Sequence, residues 1–282
     1  MNQFSPADYL PDLNQYPTIS RTDIDQFIVI VDELAGYPLH KMDEGLHFAL
    51  EQTARLVNAE NAFWLATTYN PTDDNPFNKV FQGWMPRQVI SLVEDEERQK
   101  LLDLILRRFR GADEDEYVAL NSAGVGSSRA SMRSDSEQMQ TDAVKWMEKE
   151  VFAKGLLADR VTAACPVTAD SESFMGFDRI DNKQAFNERE KELIRVISFG
   201  MKWFFTHLHR SYGYIDAKEA LTKRERQVLM LLLTDMSEKQ MADTLNLSKK
   251  TTHHHVSRIY NKYSVRSRAG LMAMWLNYSA DK

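Results

Sequence analysis

Three helix-start signals follow one another between Leu221 and Tyr263, and they constrain this chain more than any other feature. Thr222 is followed three residues on by Glu225, and Ser237 by Gln240, the pattern in which cap side chain and third residue satisfy each other's backbone N–H groups. Ser248 then opens the run KKTTHHHVSRIYNKY. The apolar positions are Val228, Leu229, Leu231 and Leu232, then Met241, Ala242 and Leu245, then Val256, Ile259 and Tyr263. Each set fits one face of a short helix. Helices this short are marginal alone and must pack on one another. Two short capped helices joined by a brief turn, the second polar on its outer side, form a helix-turn-helix. Val265 to Arg268 breaks the third helix, and Ala269 to Tyr278 reads as a fourth. Its Leu271, Met274, Trp275 and Tyr278 are expected to face a partner or the rest of the chain.

Charge separates this module from what precedes it. The chain of 282 residues has 35 Lys+Arg and 41 Asp+Glu, a net charge of −6. From Leu221 onward there are 11 basic and 5 acidic residues, hence +6, while residues 1–220 hold 24 and 36, hence −12. A small basic module on an acidic body is the footprint of a polyanion-binding appendage. The single cysteine, Cys165, excludes an internal disulfide and a cysteine-based zinc site. No apolar run approaches the roughly 18 residues of a membrane helix, and Met1 to Tyr16 lacks the basic-then-apolar order of a signal peptide. A cytoplasmic protein with no membrane segment is expected.

The body reads as α+β. Residues 22–58 are mostly helical, with Leu46, Ala49, Leu50, Thr53, Ala54 and Val57 on one face. Asn61 to Tyr69 and Lys79 to Trp84 favour strands, and the stretch from Val89 through Phe109 returns to helical spacing. Residues 112–140, acidic and then dense in Ser and Gly, read as a mobile loop or a lid over a ligand. Trp146 to Phe152 is helical again. Arg160 to Thr168 and Ser173 to Ile180 are strands, and Asn187 with Glu190 caps a long helix to Arg210. This order gives an antiparallel sheet with flanking helices and resembles the GAF/PAS-like sensor domains. The expected division is a sensor or dimerisation domain at 1–212, a linker at 213–220, and an all-α four-helix DNA-binding domain at 221–282.

The run LTKRERQVL, then SEKQMADTLNLSKKTTHHHVSRIYNKYSVRSRAGL, resembles the LuxR/FixJ (GerE-like) helix-turn-helix family across all four helices. Asp235 stands where that family usually has Gly, so the resemblance implies a left-handed turn there. It also implies a transcriptional regulator that binds double-stranded DNA, with the third helix in the major groove. On that basis Lys250, Thr251, His253, His254 and Ser257 reach base edges, and Lys239, Lys249, Arg258 and Lys262 hold phosphates. Successive helix residues point about 100° apart, so His253, His254 and His255 cannot converge on one ion, and no metal site is expected.

Nucleophile–base pairs and convergent carboxylates are not evident, so neither an enzyme nor a cofactor is expected. Phe63, Trp64, Phe81, Trp84, Cys165, Met175 and Phe177 crowd the sheet and read mostly as core. Trp64, Trp84 and Met175 are the candidates for lining a small-molecule pocket. The other reading of the body is a ligand-independent platform for dimerisation or protein contacts; a homodimer is expected either way, since such readers engage two half-sites.

Overall fold

The structure, a computed structural model, describes residues 19–93, 96–181 and 184–276. Helix α1 (Arg21–Ala35) starts at Ser20, whose Oγ accepts from the Asp23 N–H while the Asp23 carboxylate accepts from the Ser20 N–H. A 3-10 turn (Leu39–Lys41) leads into α2 (Met42–Leu56), which buries Leu46, Ala49, Leu50, Thr53 and Ala54. Five strands follow: β1 (Asn61–Tyr69), β2 (Trp84–Ser91), β3 (Arg129–Met132), β4 (Asp159–Thr168) and β5 (Ser171–Arg179). They form one antiparallel sheet in the order β2-β1-β5-β4-β3.

Between the strands lie α3 (Glu96–Phe109), α4 (Glu116–Ala123) and α5 (Asp142–Met147), the last continuing as a π-helical turn, Glu148–Phe152. After β5 come α6 (Glu188–Gly200) and α7 (Lys202–Tyr212). The side-chain period of two then splits the sheet into unlike faces. Trp64, Val161, Ala163, Cys165, Met175 and Phe177 point into the main core, packed against α2, α6 and α7. Phe63, Leu65, Thr162, Ala164, Phe174 and Asp178 take the other face, toward α3, α4 and α5.

Several expectations are corrected here. Residues 79–83 form turns rather than a strand, and the strand is 84–91, carrying Val89. Its Pro86 sits on the edge strand β2, where a missing N–H can be tolerated. The expected loop at 112–140 holds α4 and β3 instead. Asp115 makes this possible: its carboxylate accepts from the N–H groups of Tyr117, Val118 and, across to α5, Ala143. The single long helix is two, broken at Met201 (φ −93°, ψ 10°) beside Gly200, the weakest helix former of the run. Its expected capping box at Asn187 and Glu190 is present.

Gly176 on β5 makes room for the Phe63 ring, which a side chain there would push aside. A Cβ there would lie 2.1 Å from the Phe63 ring on the neighbouring strand.

Candidate nucleic-acid interface

Four helices follow the body: α8 (Lys223–Leu232), α9 (Glu238–Thr244), α10 (Lys249–Lys262) and α11 (Arg268–Leu276). Thr222 Oγ1 accepts from the Glu225 N–H at 3.2 Å while Glu225 Oε2 accepts from the Thr222 N–H at 2.8 Å. Ser237 and Gln240 repeat the exchange at α9, and Ser248 Oγ accepts from the Thr251 N–H at 3.0 Å. Val228, Leu229, Leu232, Met241, Val256, Ile259, Tyr263, Leu271 and Trp275 make a core of their own.

Leu271 and Trp275 thus pack in the module's own core, and Trp275 also meets Arg210 of α7, the part of the expectation that has the helix face the rest of the chain; Tyr278 lies outside the described residues. Arg268 ties the start of α11 to the end of α8: its guanidinium donates to the carbonyls of Leu232 (2.8 Å) and Met236 (2.7 Å). Asp235 is not among the residues with positive φ, whereas Asn246, before α10, is (φ 52°). The α8–α9 turn is closed by the Thr234 hydroxyl, which donates to Leu231 O and accepts from the Met236 N–H, so a left-handed residue is not needed.

On α10, Thr252, Val256 and Ile259 are buried, which turns Lys249, Lys250, Thr251, His253, His254 and Arg258 outward, with Ser257 half-buried among them. Lys250, His253, His254 and Ser257 are three and four residues apart and share a face. Lys239 is exposed on α9. The structure thus groups Lys250, His253, His254 and Ser257 on one face of α10, whereas Lys249 and Arg258, nine residues apart, leave the helix on opposite sides, Arg258 toward Glu225 of α8. His255 is half-buried, and burial lowers its imidazole below the ordinary value. Among the described residues no group of His, Cys, Asp and Glu is arranged to hold a metal ion.

Lys262 must be withdrawn from the phosphate contacts. Its side chain is 6% exposed, and Nζ donates to Ala220 O (2.8 Å) and to Glu225 Oε2 (2.9 Å). Glu225 is itself buried and also pairs with Arg258 Nε at 3.0 Å. Burial pushes its carboxyl up, but the Thr222 N–H and Lys262 outweigh that and hold it below the usual carboxylate value. Arg258 keeps half its surface free. The capping pattern pointed to Glu225 as a helix-start residue, and nothing in the sequence showed that it also anchors two cations of α10.

Residues 219–275 match the family described as bacterial regulatory proteins, luxR family. Over 54 residues the chain is 42% identical to the spore germination protein GerE of Bacillus subtilis (strain 168), a match covering 19% of this chain and 73% of GerE. The chain belongs to the luxR family. It is also similar to the nitrate/nitrite response regulator protein NarP of Escherichia coli (strain K12), 38% identical over 61 residues, which are 22% of this chain and 28% of NarP. Among solved structures, Escherichia coli SdiA aligns over 82% of this luxR-family chain and 88% of its own, with 13% identity and a TM-score of 0.39, too slight a likeness to bear on the body's role.

The luxR module is strapped to the body. Arg226 of α8 donates to both carboxylate oxygens of Asp43 on α2, at 2.6 and 2.7 Å, and its guanidinium lies 3.9 Å from the Tyr212 ring centre. Arg210 of α7 lies over the Trp275 ring, and the Tyr263 hydroxyl donates to Arg210 O. The intervening residues are tied down too: Lys218 N–H donates to Lys262 O and Leu221 N–H to Tyr212 O. Gly213 turns the chain at φ 73°, where a Cβ would crowd Glu219 O and Leu221 N at 3.0 Å.

The body's free space lies on the far side of the sheet. A half-open cavity of about 300 Å³ is bounded by the sheet, α3, α4 and α5, and Trp84, Phe109, Tyr117 and Phe174 line it. Trp64 and Met175 do not. Both are fully buried on the opposite face, where the Trp64 Nε1–H donates to Ser173 Oγ at 3.0 Å. Reading alternation along one strand could not say which face held the cavity. Arg129 and Glu172, which sequence reasoning missed, sit at the cavity as a bidentate pair at 2.7 and 2.8 Å. Cys165 is buried in the core, which pushes its thiol up to about 12 and removes thiolate chemistry at neutral pH. Among the described residues no helix is long and apolar enough to cross a membrane.

Proposed function

We propose that this luxR-family chain is a sequence-specific DNA-binding transcriptional regulator, acting as a homodimer, whose body binds a small molecule in the cavity beside Trp84. The observation that carries the DNA reading is the outward set on α10: Lys250, Thr251, His253, His254 and Ser257 present short polar and cationic groups over one turn after another. Lys239, Lys249 and Arg258 flank them. An α-helix fits the major groove, base edges are read by such side chains, and flanking cations fix register on phosphates. The exposed reading face and the docking face of α8 are different surfaces, so the module can stay strapped to the body while it meets DNA.

The cavity supports a ligand of limited polarity. Its volume falls at the low end of small-molecule sites. Both guanidiniums at its wall are already matched, Arg129 by Glu172 and Arg160 by Asp178 at 2.6 and 3.1 Å. An anionic ligand would have to displace a buried carboxylate, so a neutral, largely apolar molecule with one or two hydrogen-bonding groups fits best. Thr67, Tyr117, Asn121, Ser122, Ser131 and Thr162 are its uncharged polar groups.

The test is a melting screen of the full-length chain against neutral amphipathic metabolites, followed by DNA binding with each hit. A ligand that raises the melting temperature of the wild type but not of Trp84→Ala, and changes DNA affinity, supports the reading. Absence of any such ligand, with dimerisation intact, would favour a body that serves only as a dimerisation and contact platform.

A further inference from the structure

A carboxylate sits on the DNA-reading side of the module, where an acid is electrostatically misplaced. Glu238, the first residue of α9, directs both oxygens at His253 of α10, with Nδ1 at 3.1 Å from Oε2 and 3.3 Å from Oε1. The imidazole is 66% exposed and the Glu238 side chain 33%, so the pair contributes little to stability. Its consequence is chemical. A carboxylate only accepts hydrogen bonds, so the nitrogen facing it must carry the proton. In a neutral imidazole the other nitrogen is then bare.

We infer that Glu238 is a positioning residue for sequence readout: it fixes His253 in the Nδ1–H tautomer, so that Nε2 meets the major groove as a hydrogen-bond acceptor. This rests on the DNA reading above and sharpens it. An acceptor at that point pairs with the exocyclic amine of adenine or cytosine on the contacted strand and is repelled by guanine O6 and thymine O4. Without Glu238 the ring can present either an acceptor or a donor, and discrimination collapses while phosphate contacts stay.

Two measurements on the full-length chain test this at pH 8, above the range in which free imidazole takes its second proton. Two-bond ¹H–¹⁵N spectra, with His253 assigned from His253→Ala, should show the Nδ1–H tautomer in the wild type and its loss in Glu238→Ala. Selection from a randomised double-stranded DNA library should then find one position, lost in His253→Ala, where the wild type favours A or C by about tenfold. In Glu238→Ala that preference should fall below about threefold, with unchanged melting temperature and salt slope. A wild-type preference for G or T, an A/C preference unaltered by Glu238→Ala, an Nε2–H tautomer in the wild type, or no position that depends on His253 would each overturn the inference. If the wild type enriches no sequence at all, it is the DNA-regulator reading itself that fails.

Discussion

Replacing Asp43 by alanine strips the carboxylate from a guanidinium that is only 13% exposed. Arg226 would keep Ser211 Oγ at 3.2 Å and the Tyr212 ring, but neither carries charge to balance it. Burial works against that charge, and the Asp43 carboxylate outweighs it, holding Arg226 above the usual guanidinium value. Losing one partner of a fully buried pair costs about 3–5 kcal/mol. Here Asp43 is 48% exposed, so solvent screens one side, and the coupling should fall to about 1–2 kcal/mol. A double-mutant cycle of Asp43→Ala, Arg226→Met and the pair, followed by urea unfolding, measures it. Because this pair joins the luxR module to the body, each single variant should also speed proteolysis within residues 213–220. A coupling below about 0.5 kcal/mol, or unchanged cleavage there, would refute the claim that this contact straps the two parts together.

Acid should unfold the body through His209. Burial drops its imidazole to about 3, and Nε2 is held at 2.9 Å by Ser173 Oγ. The unfolded chain takes the proton near pH 6.5 and the folded one does not, so stability present above that pH is lost as pH falls toward 3. At pH 5 the loss is about 2 kcal/mol, and His209→Gln should flatten the fall in melting temperature between pH 7 and 5. Lys262→Met should lower stability by about 2 kcal/mol or more while leaving the salt slope of DNA binding unchanged; an altered slope at constant melting temperature would restore Lys262 to the phosphate contacts. Gly176→Ala should destabilise by about 1–3 kcal/mol through the Phe63 clash, read by thermal unfolding.

What the sequence made legible was local. The capping pairs at Asn187, Thr222 and Ser237 lie three residues apart and are written in the chain order. Strand β2 was hidden because Pro86 and Arg87 interrupt its pattern, and only its place at the sheet edge makes them acceptable. α4 was hidden in a Ser- and Gly-rich stretch, although Asp115 ahead of Tyr117 and Val118 was a usable cap signal. The partners of Lys262, Arg226 and His253 come from other helices, and no spacing rule reaches across a tertiary contact. The same holds for Trp64 and Trp84: both are aromatic strand residues, and which one borders the cavity depends on a face that the neighbouring strands define.

The central claim is that α10 reads DNA through its outer face. Footprinting of the full-length wild type on genomic fragments, beside Lys250→Ala and His254→Ala, tests it most directly. The account predicts a discrete protected segment for the wild type and none for either variant, with both variants melting near the wild-type temperature. No protected segment under any condition, or protection that survives both substitutions, would contradict it.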